Sequence, residues 1–253
     1  MEKNKSKLRK NLISMGKGIS SVEGTWKFTD NVAKSFDKHV NQSIPHYKEI
    51  QKYVNLLAEW FLKDETIVYD LGCSTGETIN TILNSGISNK LRIIGIDENR
   101  KMVKIAKSKI IRSKKNKKIK IEFKHGDITK IKSFKKSNLF ISILLFPFLN
   151  IVQRKNLLKK IYKSLNYGGG FILVDKIRAD HSDFEDMFNQ VYFDFKIDKG
   201  LTAKQILNKS KSLRSSMYLY HQNQILSLLK ESKFRKYEVF FKWFNFVGIV
   251  ATK

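Results

Sequence analysis

Three short apolar runs in this chain each end in a carboxylate. Ile67-Val68-Tyr69 leads into Asp70, Leu91 to Ile96 into Asp97, and the run from Ile119 into His125-Gly126-Asp127. A tight loop, Asp70-x-Gly72-x-x-x-Gly76, follows the first. Glycine has no Cβ, so such a loop turns sharply and its backbone can lie close to a ligand. N–H groups at the start of the next helix are unpaired and suit an anion. Asp70 is an acceptor for an ammonium or a hydroxyl. Asp97 lies about twenty residues beyond the loop, where such folds place the acid that grips a ribose diol. Successive strands ending in acids describe an adenosine site better than a pyrophosphate site, because the loop is not Gly-x-Gly-x-x-Gly. On glycine spacing alone, a structural turn that binds nothing stays open.

These residues need strands and helices to hold them. Ile79, Ile82 and Leu83 recur at helical spacing after the loop. Strands are predicted near 66–71, 91–96, 119–124, 139–145 and 170–175, with helices near 77–85, 100–112 and 151–165. That alternation gives right-handed crossovers and a mainly parallel sheet. Tyr167-Gly168-Gly169-Gly170 reads as a turn into the fifth strand. Tyr237 to Phe244 and Phe246 to Ala251 close the sheet, so the class is α/β with seven strands, mostly parallel, and an antiparallel last strand.

Helices are added at both ends of this core. Phe28, Val32, Ala33 and Phe36 share one face of a segment from Trp26 to Val40. Pro45 opens a second helix reaching about Leu62, with Tyr47, Ile50, Tyr53, Val54, Leu57 and Phe61 as its stripe. Such a layer can lid a cleft, with the Tyr47 ring against a cation or its hydroxyl on an amino-acid group. Asp180 to Glu231 is helical, with Phe184, Met187, Phe188, Val191 and Phe195 on one face. That insertion closes the substrate side or pairs two subunits, and its aromatics suggest an acceptor with an apolar part. Residues 1–20 read as a flexible basic arm and 21–253 as a single domain.

Composition bounds the rest. The only cysteine, Cys73, can form no internal disulfide, which fits a reducing cytoplasm. It has no evident base beside it. The basic N-terminus lacks the apolar core of a signal peptide, and Leu139 to Val152 is too short to span a bilayer. The net charge of +26 fits RNA binding, but lysine greatly outnumbers arginine, the better forked phosphate ligand. A coding bias toward lysine, asparagine and isoleucine explains the charge without a partner and is the preferred reading. The five histidines lack metal-site spacing and read as surface or packing residues, so no metal is expected.

Longer matches are more specific than the loop. Trp26-Lys27-Phe28, Ser43-Ile44-Pro45-His46-Tyr47, Val68 to Ser74, Gly126-Asp127-Ile128, Asp194-Phe195-Lys196 and Trp243-Phe244-Asn245-Phe246 resemble the class I S-adenosylmethionine-dependent methyltransferases. More narrowly, they resemble the carboxy-S-adenosylmethionine synthases built on that Rossmann-like fold. The resemblance implies S-adenosyl-L-methionine as cofactor, with contacts at Tyr47, Gly72, Cys73, Ser74, Asp97, Glu98, Asp127 and Ile128. Asp70 and Gly76 join them from the loop itself. In that family a partner subunit's arginine holds an extra carboxylate, and an asparagine ends the fourth strand. Here those places fall on Ser210, between Lys209 and Lys211, and on Ile143 beside Ser142.

Three functions follow. One is a methyltransferase of synthase descent acting on a small molecule. The second keeps the synthase reaction, with Lys209 or Lys211 replacing the arginine, prephenate giving the carboxyl group, and the product feeding wobble-uridine modification in tRNA. The third is a cofactor-binding RNA-associated protein without turnover. A cytoplasmic homodimer is the implied form.

Overall fold

Near-continuous burial along the central strands marks a sheet covered on both faces. The computed structural model describes residues 12–16, 19–22, 30–87, 90–113, 118–214 and 216–253. The sheet contains β3 (Ile67–Leu71), β4 (Arg92–Asp97), β5 (Lys120–His125), β6 (Ser137–Ile143), β7 (Leu165–Lys176), β8 (Lys236–Trp243) and β9 (Phe246–Thr252), in the order β5-β4-β3-β6-β7-β9-β8. The first five run parallel, and β9 is antiparallel to both of its neighbours. One face buries Tyr69, Leu71, Phe140, Phe171 and Leu173; the other buries Val68, Ile93, Leu139, Ile141 and Val174. The period of two along each strand does this sorting. Tyr69 and Phe140 are register partners, and their rings stack at 4.9 Å.

Helices cover both faces. α2 (Tyr47–Glu59), α3 (Glu77–Asn84) and α4 (Arg100–Ser113) belong with the second cluster, while α5 (Ile151–Ser164) and α8 (Gln222–Glu231) pack on the first. α5 opens with a full capping box between Asn150 and Gln153. α1 (Asp30–Ser43), α6 (Ser182–Asp198) and α7 (Ala203–Leu213) gather at the carboxyl ends of the strands. Chain order reverses at β3, which lies between β4 and β6, so the crevice beyond its carboxyl end is a topological switch point.

Three expectations change. Residues 1–11 of the basic arm lie outside the described residues, but Leu12–Gly16 (β1) and Ile19–Val22 (β2) pair as an antiparallel hairpin. Short β-prone runs flanking Gly16-Lys17-Gly18 outweigh the polar composition there. Trp26 and Phe28 also lie outside the described residues. The glycine segment at 167–170 is a bulge inside β7 rather than a turn before it. Ser137 pairs with Leu165 and Leu139 with Gly170, and Gly168 takes φ +75°. The backbone there bonds to Lys253 instead of β6. Finally, α6 has no buried residue; Phe184, Met187 and Val191 on its predicted apolar stripe are exposed.

Candidate cofactor and substrate site

The switch point opens into a cavity of about 600 Å³. It brings Tyr47, Asp70, Gly72, Cys73, Ser74, Asp97, Glu98, Asp127, Ile128 and Lys209 onto one lining. Gly76 and Lys211 lie outside it. Gly76 caps α3 at φ +78°, and a Cβ there would stand 3.1 Å from the Ala106 Cβ, so its task is packing α3 against α4.

Three left-handed residues line the cavity. Gly72 takes φ +73° against Leu145. Ser74 at φ 45° and Leu144 at φ 57° are left-handed without being glycine, a conformation that branched side chains rarely tolerate. Ser74 is held there because its N–H donates to Asp97 Oδ2 at 2.9 Å, while the Asn99 N–H donates to Oδ1 at 2.8 Å. Asp97 therefore shapes the loop and retains lone pairs toward the cavity. Asp127 Oδ1 accepts from the Thr129 N–H and hydroxyl, which fixes the turn before Ile128 and holds the carboxyl below its ordinary range. Glu98 is exposed on the rim.

Asp70 is the atom-level test of whether a cationic cofactor fits. It is 2% exposed, it lines the cavity, and its Oδ2 has no hydrogen-bond partner among the described residues. Burial, then the charge of Asp97, pushes its carboxyl up to about 7. An ammonium beside it would donate the missing hydrogen bond, and a sulfonium would balance the charge without donating one. The Tyr47 hydroxyl accepts from Gln51 Nε2 at 2.9 Å and lies at the same end. Burial raises the Cys73 thiol, so it stays protonated and inert.

The far end is lined by His39, Lys176, Tyr192, Lys209, Met217 and Phe246. Lysines thus stand there beside the aromatic and apolar residues, and one histidine, His39, lines the cavity. His39 is 5% exposed with its Nε2 unpartnered, and burial plus the Lys209 charge lowers it to about 3, leaving it neutral. Ile143 also lines the cavity, while Ser142 is buried behind it and Ser210 is exposed on α7. Among the described residues, no group of three or more His, Cys, Asp or Glu is placed to hold a metal, and no helix is long and apolar enough to cross a membrane.

Residues 68–169 match the model of a methyltransferase domain. The chain is 35% identical over 229 residues to a carboxy-S-adenosyl-L-methionine synthase of Staphylococcus epidermidis, covering 90% of this chain and 97% of that one. The chain belongs to the carboxy-S-adenosyl-L-methionine synthase family. A synthase of Sulfurimonas denitrificans is 32% identical, with 92% of this chain and 97% of that one covered. The fold also superposes on a SAM-dependent methyltransferase from Methanosarcina mazei, with TM-score 0.55, 16% identity, and 78% and 96% of the two chains covered.

As a member of that family this is an S-adenosylmethionine-dependent enzyme. Asp70, Asp97, Gly72 and Tyr47 of this synthase-family chain are the residues that would hold the cofactor. The sequence reading missed His39, Lys176 and Tyr192. Lys176 sits at the carboxyl end of β7, which the strand-end rule could have flagged. His39 shares a helical face with Phe36 and could have been grouped with it.

Proton linkage at Asp70 gives a direct check. Its folded value lies above the ordinary carboxylate value of 3.8. The neutral form thus favours the fold: that contribution is full below about pH 4 and is lost as pH rises through about 7. Cofactor cation favours the ionised form instead. Affinity for S-adenosylmethionine is expected to rise by up to about tenfold per pH unit toward pH 7, with proton release on binding. Calorimetry in buffers of different ionisation enthalpy measures both, and a flat affinity from pH 5.5 to 7 would remove Asp70 from the cation contact.

Proposed function

We propose that the chain is a carboxy-S-adenosylmethionine synthase, transferring a carboxyl group from an acidic donor to the cofactor's methyl carbon. The observation that carries this reading is the cationic lining: Lys176 and Lys209 both line the cavity that Asp70 lines. A neutral acceptor gains nothing from two ammonium groups, whereas a carboxylic acid does. Relatedness to synthases across nearly their whole length adds support. By family resemblance the donor is prephenate and the product serves tRNA modification.

Bound in this pocket, S-adenosylmethionine supplies a methyl group activated by its sulfonium. Asp70 would balance the positive charge, and Asp97 would orient the ribose. Leu145, Phe148 and Leu149 add apolar wall to the cavity, which favours exclusion of water. The rate then comes mainly from positioning two reactants against each other.

Methyl transfer to a small acceptor is the second reading. Ser210 in place of the arginine favours it, as does neutral His39, whose unpartnered Nε2 could take a proton from an acceptor hydroxyl. Mass spectrometry of the ligand that co-purifies with the protein separates the two. Carboxylated cofactor is expected. S-adenosylmethionine or S-adenosylhomocysteine alone, with no carboxylated product after incubation with prephenate, would transfer the assignment to the methyltransferase.

A further inference from the structure

α1 stands against the cofactor cavity without belonging to the core. It supplies Phe36, His39 and Val40 to the lining. None of its described side chains joins either apolar cluster of the sheet. Polar fastenings hold it instead. Near its carboxyl end, the Ser43 carbonyl accepts from the Tyr192 hydroxyl at 2.7 Å, and the Gln42 amide donates to the Lys199 carbonyl at 2.9 Å. Earlier in the helix, Asp37 reaches the cofactor loop. Its Oδ1 accepts from the Thr75 hydroxyl, and its Oδ2 accepts from Lys109 Nζ at 2.6 Å. The same ammonium donates to Glu77 Oε2 at 2.8 Å. Thr75 and Glu77 flank Gly76 and both line the cavity, whereas Asp37 and Lys109 do not. Four elements meet in this cluster: α1, the glycine loop, α3 and α4.

A fastening of this kind is firm but can part. Against the cost of burial, the two carboxylates hold the Lys109 ammonium above its ordinary range, so it is charged at neutral pH. The Asp37, Glu77 and Lys109 side chains are 46%, 36% and 23% exposed, so dissolved ions reach and screen them. A helix held by such contacts rather than by core burial belongs to the part of a fold that opens locally most readily.

We infer that Asp37 is a positioning residue of the cofactor site: with Lys109 it clasps α1 shut against the glycine loop, and cofactor exchange waits on the release of that clasp. Asp37 acts through Thr75 on the loop and through the three side chains that α1 lends to the lining. The inference concerns the cofactor alone and holds whichever group the enzyme transfers.

A clasp leaves a rate pattern that a damaged pocket does not. Ligand enters and leaves through the open form. Raising the open fraction therefore speeds both steps by the same factor and leaves Kd where it was. Losing a ligand contact speeds release alone and raises Kd.

The test is surface plasmon resonance on the full chain with S-adenosylhomocysteine, which carries no net charge at neutral pH and so feels little steering of its own. In wild type, association and dissociation should both quicken between about 0.1 M and 1 M potassium chloride, as the screening length falls from about 10 to about 3 Å. Asp37→Asn keeps an acceptor for Thr75 and removes the ion pair. At low salt it should raise both rates by about threefold to tenfold, keep Kd within about twofold, and lose most of the salt dependence. Lys109→Gln leaves Asp37 and Glu77 without their shared cation and should behave alike. The melting temperature of either variant should fall by no more than about 4 °C. Rates in both variants equal to wild type would overturn the inference. So would faster release with unchanged association and a raised Kd, or wild-type rates indifferent to salt. The wild-type salt series decides the matter by itself should a variant fail to fold.

Discussion

Replacing Arg154 by methionine is expected to destabilise the protein by about 3–5 kcal/mol, the usual result of stripping one partner from a buried ion pair. Arg154 and Asp175 side chains are both fully buried, with Nη1 2.8 Å from Oδ2. Burial pushes the Asp175 carboxyl up against the pull of the guanidinium. The other guanidinium nitrogens donate to the Leu149 carbonyl at 3.0 Å and the Tyr218 carbonyl at 2.7 Å, and the group sits 4.5 Å from the Tyr220 ring centroid. Methionine therefore strands one carboxylate and two carbonyls. At about 2–4 °C per kcal/mol for a chain of this size, the melting temperature should fall by roughly 10 °C. Urea denaturation gives the free energy. The double variant Arg154→Met, Asp175→Leu should recover part of the loss, because no charge is then left unpaired. A single variant as stable as wild type would show that the pair is dispensable.

The consequence reaches the site. Leu149 and Met217 line the cavity, Tyr218 N–H bonds to the Pro147 carbonyl at 2.7 Å, and Asp175 adjoins Lys176. One guanidinium thus ties together three walls of the substrate end.

Asp97→Ala should weaken S-adenosylhomocysteine binding by at least about 100-fold. Two losses combine. The Ser74 and Asn99 N–H groups lose their acceptors, so the loop relaxes from its left-handed turn. The ribose loses a charged acceptor as well, and each charge-assisted bond is worth about 1.5–3 kcal/mol. Calorimetry measures the dissociation constant, and circular dichroism shows whether the fold is kept. A folded variant within about threefold of wild type would mean that Asp97 serves the loop and not the ligand.

The cofactor half of the site was legible because it is local. Asp70, Gly72 and Ser74 are neighbours in sequence, Asp97 ends a strand and Asp127 follows one, and the apolar runs of those strands announce them. The substrate half was not legible, because it is assembled from distant pieces. Nothing in the sequence places Lys176, Tyr192, Lys209 and His39 together. Composition also misled there: aromatics on α6 suggested an apolar wall, but Tyr192, which lines the cavity, is not on the stripe that the period of 3.6 picked out. The bulge in β7 was hidden for another reason. Glycines at 168–170 announce a break, but only the register against β6 shows that the strand resumes on the near side of it.

The order of the sheet has a consequence for synthesis. β9 is an interior strand, wedged between β7 and β8, although β8 precedes it in the chain. β8 has no sheet to join until β9 pairs with β7, so Phe240, Phe241 and Trp243 gain shelter only when the whole hairpin docks. Before then the nascent edge offers unpaired backbone and aromatic surface to chaperones or to other chains, until the hairpin folds back and β9 slides into its slot.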